Sequence, residues 1–397
     1  MSIPFSNSNF VSTMQKLVQQ SKRSWWLTFL FWFIALAPAQ AAEQLILRVA
    51  IEENVSQVQV GSSSNALLKN ADGQVLTELE SGGFEASAAN GQVAIGQWQE
   101  DGIWIEPKTA DGFVWIGDKW YRGRVFVVPT SGGLTAVNYV DLEEYLYSVV
   151  ASEVPTSWPL ESLKAQAVAA RSYALYQRQS SANTVFDVGD TTRWQVYKGI
   201  EVETASTQAA VQETRGQVLT HNGQIINAVF HSSSGGHTEN VEDVWVSPLP
   251  YLRAVPDYDQ NAPVFQWNES FSAEQMRARI TGVGNIIAFE PERLTPRGRV
   301  VSMRIIGDEG ERRLSGDEIR RALNLRSSLF TVQPQSGQVA SANGAAPSGF
   351  VVTGGGFGHG IGMSQYGAFG MASQGADYRQ ILAHYYQGST LARMRVE

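Results

Sequence analysis

One carboxylate stands out by its setting. Glu153 closes the apolar stretch "YLYSVVASE" and is followed by Val154 and Pro155. The proline biases Val154 away from helix, so the acid is displayed on a turn next to a helix start. Burial beside Val149, Val150 and Trp158 would keep its carboxyl protonated toward neutrality, the state a general acid needs. A capping or salt-bridged glutamate would fit the same place. Arg171, a polar break in "KAQAVAARSYAL", also has two readings. It is either a charge-assisted partner for a substrate or for Glu153, or an exposed helix arginine.

Two later segments gather polar side chains. In "HSSSGGHTENVED" the hydroxyls of Ser232 and Ser234 suit sugar hydroxyls, but no G-x-S-x-G elbow surrounds them. His231 and His237, with Glu239 and Glu242 nearby, raise the question of a metal. Their spacing matches neither H-E-x-x-H nor a cysteine-containing zinc pattern, so a turn with surface histidines is the preferred reading. In "GGGFGHGIGMSQYG" the glycines from 354 to 362 form a loop able to bring backbone N–H groups against a ligand, and His359 can bond on two sides. Ser364 can cap the helix that follows, turning Gln365 and Tyr366 toward that loop. The loop is neither a Walker sequence nor a dinucleotide fingerprint. The expected site is a cleft for an uncharged polar ligand, with no cofactor and no metal. Its candidate catalytic group is Glu153, and its candidate binding groups are Arg171, Ser232, Ser234, His359, Gln365 and Tyr366, with the structural readings of Glu153 and Arg171 still open beside these.

These groups need elements to hold them. Residues 157 to 179 carry the strongest helix signal, with Ser157 as cap and Pro159 in the first turn. Leu160, Leu163, Ala167, Ala170 and Ala174 make a face so small that another backbone must pack close to it. Before it, from Leu45 to Asn138, runs such as "LILRVAI", "GIWIE" and "FVWIGDKWYRGRVFVV" read as short strands. Trp98, Trp104, Trp115 and Trp120 lie on them, as core aromatics or as a stacking platform for sugar rings. After Phe265 a helix, a strand and a second helix, "SGDEIRRALNL", precede a segment at 335–349 whose composition reads as a mobile loop. The fold class expected is α+β, with a β-rich region at 42–137 and a mixed catalytic region at 138–397.

Composition bounds the function. The chain has 397 residues, 43% hydrophobic and 17% charged, enough for a large core. Residues 1–41 read as an export signal: Lys16, Lys22 and Arg23, an apolar run from Trp25 to Ala37, then Ala39-Gln40-Ala41. That run is shorter than the roughly 20 residues that span a bilayer, so cleavage after Ala41 is expected, with an uncleaved anchor as the alternative. The destination would be the periplasm or cell wall, with no membrane association after cleavage. The absence of cysteine fits an oxidising compartment. A net charge of −8 speaks against nucleic acid, and against any strongly anionic polymer unless a local basic groove overrides the total.

Taken in order, "VDLEEYLYSVVASEVPTSWPLESLKAQAVAARSYAL", "GDTTRWQVYKGI", "VFHSSSGGHTENVEDVW", "PYLRAV", "LNLRSSLF" and "GHGIGMSQYGAFGMASQGADYRQILAHYYQG" resemble the stage II sporulation protein D family. The resemblance spans about Tyr121 to Gly388. It implies an α+β fold and a lytic transglycosylase acting on peptide-free glycan strands of peptidoglycan. It further implies Glu153 as catalytic residue and Arg171 as a substrate-binding arginine. Some family members hold a zinc around "DTTHCQVY"; here Arg193 and Trp194 stand at those places, which argues against that metal. Some relatives are amidase enhancers, so the alternative is a non-catalytic wall-binding modulator with a cell-wall amidase as partner. A secreted metal-dependent hydrolase is the third reading, and it requires His231 and His237 to converge with an acid.

Overall fold

The computed structural model describes residues 44–394, apart from 181, 246, 336–337 and 342–343, with backbone only at 338–341 and 344–346. The export signal expected at 1–41 lies outside the described residues. Alternating apolar positions build the first layer, as in the strand Arg124–Thr130, which buries Val125 and Val127 on one face. Its sheet has seven strands. From one edge they run Val188–Gly189, Ile46–Val55, Gly133–Asp141, Arg124–Thr130, Ile103–Pro107, Ala66–Asn70 and Val75–Leu79. A six-stranded sheet centred on Gln57–Ser62 and Gly82–Ala89 shares its core, with Val58, Val60 and Ile116 in one cluster with Leu68, Ile105 and Val125.

The boundary expected at 137/138 falls inside the strand Gly133–Asp141. The sheet also recruits Val188–Gly189 from the helical region, pairing it parallel to Val49 and Ala50. Leu45–Arg395 accordingly form one compact unit. The four tryptophans are half-buried. Trp104 stacks on Phe126 at 4.4 Å under the Arg124 guanidinium, and Trp115 meets Trp120 edge-on at 5.1 Å.

The last strand runs straight into helix α1 (Leu142–Glu153), capped by the Asp141 carboxylate, which accepts the Glu143 N–H at 3.0 Å. It stops at Glu153 because Val154 is extended, φ −137° and ψ 152°, as a residue before proline must be. Helix α2 (Leu160–Ser180) starts later than its sequence signal. The Leu163 N–H bonds the Pro159 carbonyl, so the chain turns helical after Pro159 rather than at Ser157. Leu163, Ala167, Ala170 and Ala174 are fully buried, and α3 (Ala205–Glu213) and the strand Gln217–His221 press against α2. Leu160, expected on that apolar face, is 37% exposed.

Residues 266–355 build a section with its own hydrophobic cluster, including Trp267, Met276, Met303, Ile319 and Phe350. Two three-stranded sheets and the helices α4 (Ala273–Arg279) and α5 (Gly316–Leu323) make it up. Where composition read as a loop, Gln338–Ser341 pairs antiparallel with Gly344–Pro347. The strand Gly349–Gly355 carries the chain back to helices α6 (Gln365–Ser373) and α7 (Tyr378–Tyr385), both packed on α2. Among the described residues no helix is long and apolar enough to cross a membrane.

Candidate active site

Glu153 sits at the bottom of an open cleft. The walls come from the "TTRW" turn (Thr192, Arg193, Trp194), the Phe230–Ser232 segment, Trp245 and the glycine loop at Phe357–His359. Tyr173 and Gln365 complete the lining, in which Glu153 is the sole carboxylate. One carboxylate oxygen accepts the Val196 N–H at 2.9 Å; the other takes a long bond, 3.5 Å, from the Gln365 side-chain amide. Burial raises the Glu153 pKa above the usual carboxylate value, opposed by those two bonds and by the charge of Lys198. Proline-enforced helix termination thus leaves an acid of raised pKa facing a largely aromatic cleft.

Two imidazoles share the wall, their ring centres 5.1 Å apart. His359 is fully engaged: Nε2–H donates to the Phe230 carbonyl, and Nδ1 accepts the Ile361 N–H. Burial pushes its pKa down to about 4. In His231, Nδ1–H donates to the Ile361 carbonyl, which leaves Nε2 as an acceptor. That nitrogen has no partner among the described residues, and burial holds the ring neutral.

The other expected residues divide. Ser232, His359 and Gln365 line the cleft with Glu153. Gln365 owes its place to Ser364, whose hydroxyl caps α6 as expected by accepting the Gly367 N–H. Arg171 does not reach the cleft: it is completely buried and forks onto Glu143 at 2.9 and 2.6 Å, with further bonds to the Gln217 and Val211 carbonyls. Its break in the helix pattern marks an internal ion pair. Ser234 is also buried, its hydroxyl donating to Asp257 at 2.5 Å. Tyr366 packs edge-on against Trp158, which Phe369 also contacts; this aromatic group braces the turn after Glu153.

The glycine loop works differently from its sequence reading. The N–H groups of Gly355, Gly356, Phe357 and Gly358 bond carbonyls of Leu329, Phe265, Ser233 and Arg326, so they are spent within the protein. The glycines allow close packing instead. A Cβ on Gly358 would meet that of His231 at 2.7 Å, and one on Gly360 would meet the Arg299 guanidinium at 2.4 Å. Arg299 is a residue the sequence did not announce. Buried, it donates to the carbonyls of Ser234 and Gly358 and lies 3.7 Å from Glu239, tying the loop to the serine segment. Tyr173, Trp245 and Phe357 were missed as well, since nothing local marks an aromatic that closes a cleft from another segment. The acids near His237 have partners: Glu239 accepts from Thr295, and Glu242 pairs with Arg253.

Comparison with known proteins places this geometry. Residues 130–221 match the family model described as stage II sporulation protein, and 250–362 match a domain of unknown function. A stage II sporulation protein D of Bacillus amyloliquefaciens is 36% identical over 64% of this chain and 74% of its own length. The Bacillus subtilis protein of that name is 34% identical over 65% and 76%. An amidase enhancer of B. subtilis is 32% identical over 62% of this chain but only 40% of its own length.

Proposed function

The chain belongs to the stage II sporulation protein D family, and from that membership and the cleft we propose that it is an exported peptidoglycan lytic transglycosylase. It would act in the periplasm or cell wall, on the β-1,4 bond between N-acetylmuramic acid and N-acetylglucosamine in peptide-free strands. The observation that carries the reading is the solitary Glu153 in the cleft lining. Most glycosidases need two carboxylates, roughly 5–10 Å apart, the second to activate water or attack the sugar. A transglycosylase needs one. Protonated Glu153 gives its proton to the glycosidic oxygen as the bond breaks. The resulting carboxylate then takes the proton of the muramic acid 6-hydroxyl as that oxygen closes on the anomeric carbon. Because nucleophile and electrophile belong to one sugar, the closure gains the advantage of an intramolecular reaction.

Mass spectrometry of digested glycan strands tests this. A 1,6-anhydro end is the expected product, whereas a reducing end means hydrolysis and overturns the assignment. The relative named amidase enhancer motivates a second reading, a wall-binding modulator of an N-acetylmuramoyl-L-alanine amidase. That protein would give no glycan product, would stimulate the amidase, and would be indifferent to Glu153→Gln.

A further inference from the structure

A second recess opens beside the Glu153 cleft and shares Thr192, Arg193 and Phe357 with it. Its far wall is α5 and the turn after it, which contribute Arg320, Arg321 and Arg326. Three arginines elsewhere in the same section are matched with acids, Arg304 with Glu290, Arg313 with Glu292 and Arg299 with Glu239, and two others bond carbonyls, Arg279 that of Leu323 and Arg312 that of Thr281. In the recess Arg193, Arg320, Arg321 and Arg326 form no ion pair among the described residues. The only side-chain bond any of them makes is a long one from Arg320 Nε to the Leu325 carbonyl, 3.4 Å. Two acids, Glu269 and Asp317, also line the recess, leaving an excess of positive charge. Unpaired guanidinium groups repel one another, and a chain of net charge −8 has acids enough to neutralise them. Their forked donors fit carboxylates.

We propose that this recess binds the carboxylates of muramic acid side chains on the strand whose scissile bond lies at Glu153. The proposal rests on the glycan reading above, since only such a strand would carry an anion from the cleft into its neighbour. The carboxylate has two sources, the bare lactyl group of a peptide-free strand or the acidic groups of a stem peptide. The local basic groove thus overrides the acidic total of the chain.

The test uses the full chain carrying Glu153→Gln, so that oligomers stay intact. Affinity is measured for three glycan oligomers of equal length: peptide-free, peptide-free with lactyl carboxylates converted to methylamides, and peptide-bearing. The peptide-free acid should bind about tenfold more tightly than its methylamide, as expected for loss of a charge-assisted contact. Adding Arg321→Ala and Arg326→Ala should abolish that preference; Arg321→Ala alone, at an exposed position, should reduce it without disturbing the fold. Equal affinity for acid and methylamide, or a preference that survives both substitutions, overturns the proposal. Tighter binding of the peptide-bearing oligomer, lost with the arginines, would assign the recess to stem peptides rather than bare lactyl groups. Wild-type product formation separates this idea from its premise. Anhydro ends formed equally from acid and methylamide would reject the recess and keep the transglycosylase. No product from any oligomer, with the arginine-dependent preference intact, would reject the catalysis and keep the anion site.

Discussion

The two ends of α1 each carry a glutamate, and the two have opposite surroundings. Glu143, in the first turn, is buried against the forked Arg171 guanidinium and also accepts the Gly216 N–H. Glu153, at the last residue, faces the cleft with no cation bonded to it, and burial raises its pKa. A carboxylate forked by a guanidinium fixes structure; one with no cation bonded to it, facing a cleft, can exchange a proton. The same contrast separates Arg171, consumed inside the protein, from the arginines of the recess. Sequence neighbourhood to a catalytic group therefore says less about a charged residue than whether a partner already holds it.

The strongest way to break the comparison is to neutralise each end in turn. Glu153→Gln keeps the shape but can neither give nor take the proton. Anhydro product should fall by about 10²- to 10⁴-fold, the usual cost of a lost general acid, or further, since the same group serves again as base. Its melting temperature should not fall. Retained product would refute the single-carboxylate mechanism. At the other end, Arg171→Ala strands the Glu143 charge in the interior and should cost about 3–5 kcal/mol of folding stability. Chemical denaturation measures this; a stable variant with weakened glycan binding would return Arg171 to the cleft.

What was legible in the sequence follows the same division. Local rules placed Glu153 on the turn before Pro155, and gave the small-residue face of α2, the Ser364 cap and the strand-rich start, because each depends on near neighbours. The cleft was legible only in pieces. Glu153, Ser232, His359 and Gln365 come from four distant segments, and Trp245, Tyr173 and Phe357 join them only through tertiary packing. A helix arginine with an apolar setting looks the same whether it meets a sugar or Glu143. Glycine-rich sequence likewise did not distinguish a backbone cradle from a loop squeezed against Arg299.

That squeeze supplies a third, smaller effect. Gly360 has φ +80°, and a side chain there would run into the Arg299 guanidinium. Gly360→Val should cost about 2 kcal/mol or more through strain and overpacking. Activity should drop with it, as the wall bearing His359 shifts. A variant of wild-type stability and activity would show that the loop does not shape the cleft.

The smallest expected effect sharpens the account of Glu153 itself. The Gln365 amide donates to the ionised carboxylate, so it lowers a pKa that burial has raised. Removing the donor in Gln365→Leu leaves burial less opposed, and the pKa of Glu153 should rise further. Catalysis needs the protonated form first, so the alkaline fall of kcat/KM, which reports the free enzyme, should move to higher pH. At 3.5 Å the bond is long, and the shift should stay within about one pH unit, the equivalent of 1.4 kcal/mol. A uniform loss of glycan affinity lowers kcat/KM at every pH without moving its midpoint, so the midpoint isolates the electrostatic effect. A shift toward lower pH would mean that Gln365 stabilises the protonated acid instead, accepting its proton through the side-chain carbonyl rather than donating from the amide.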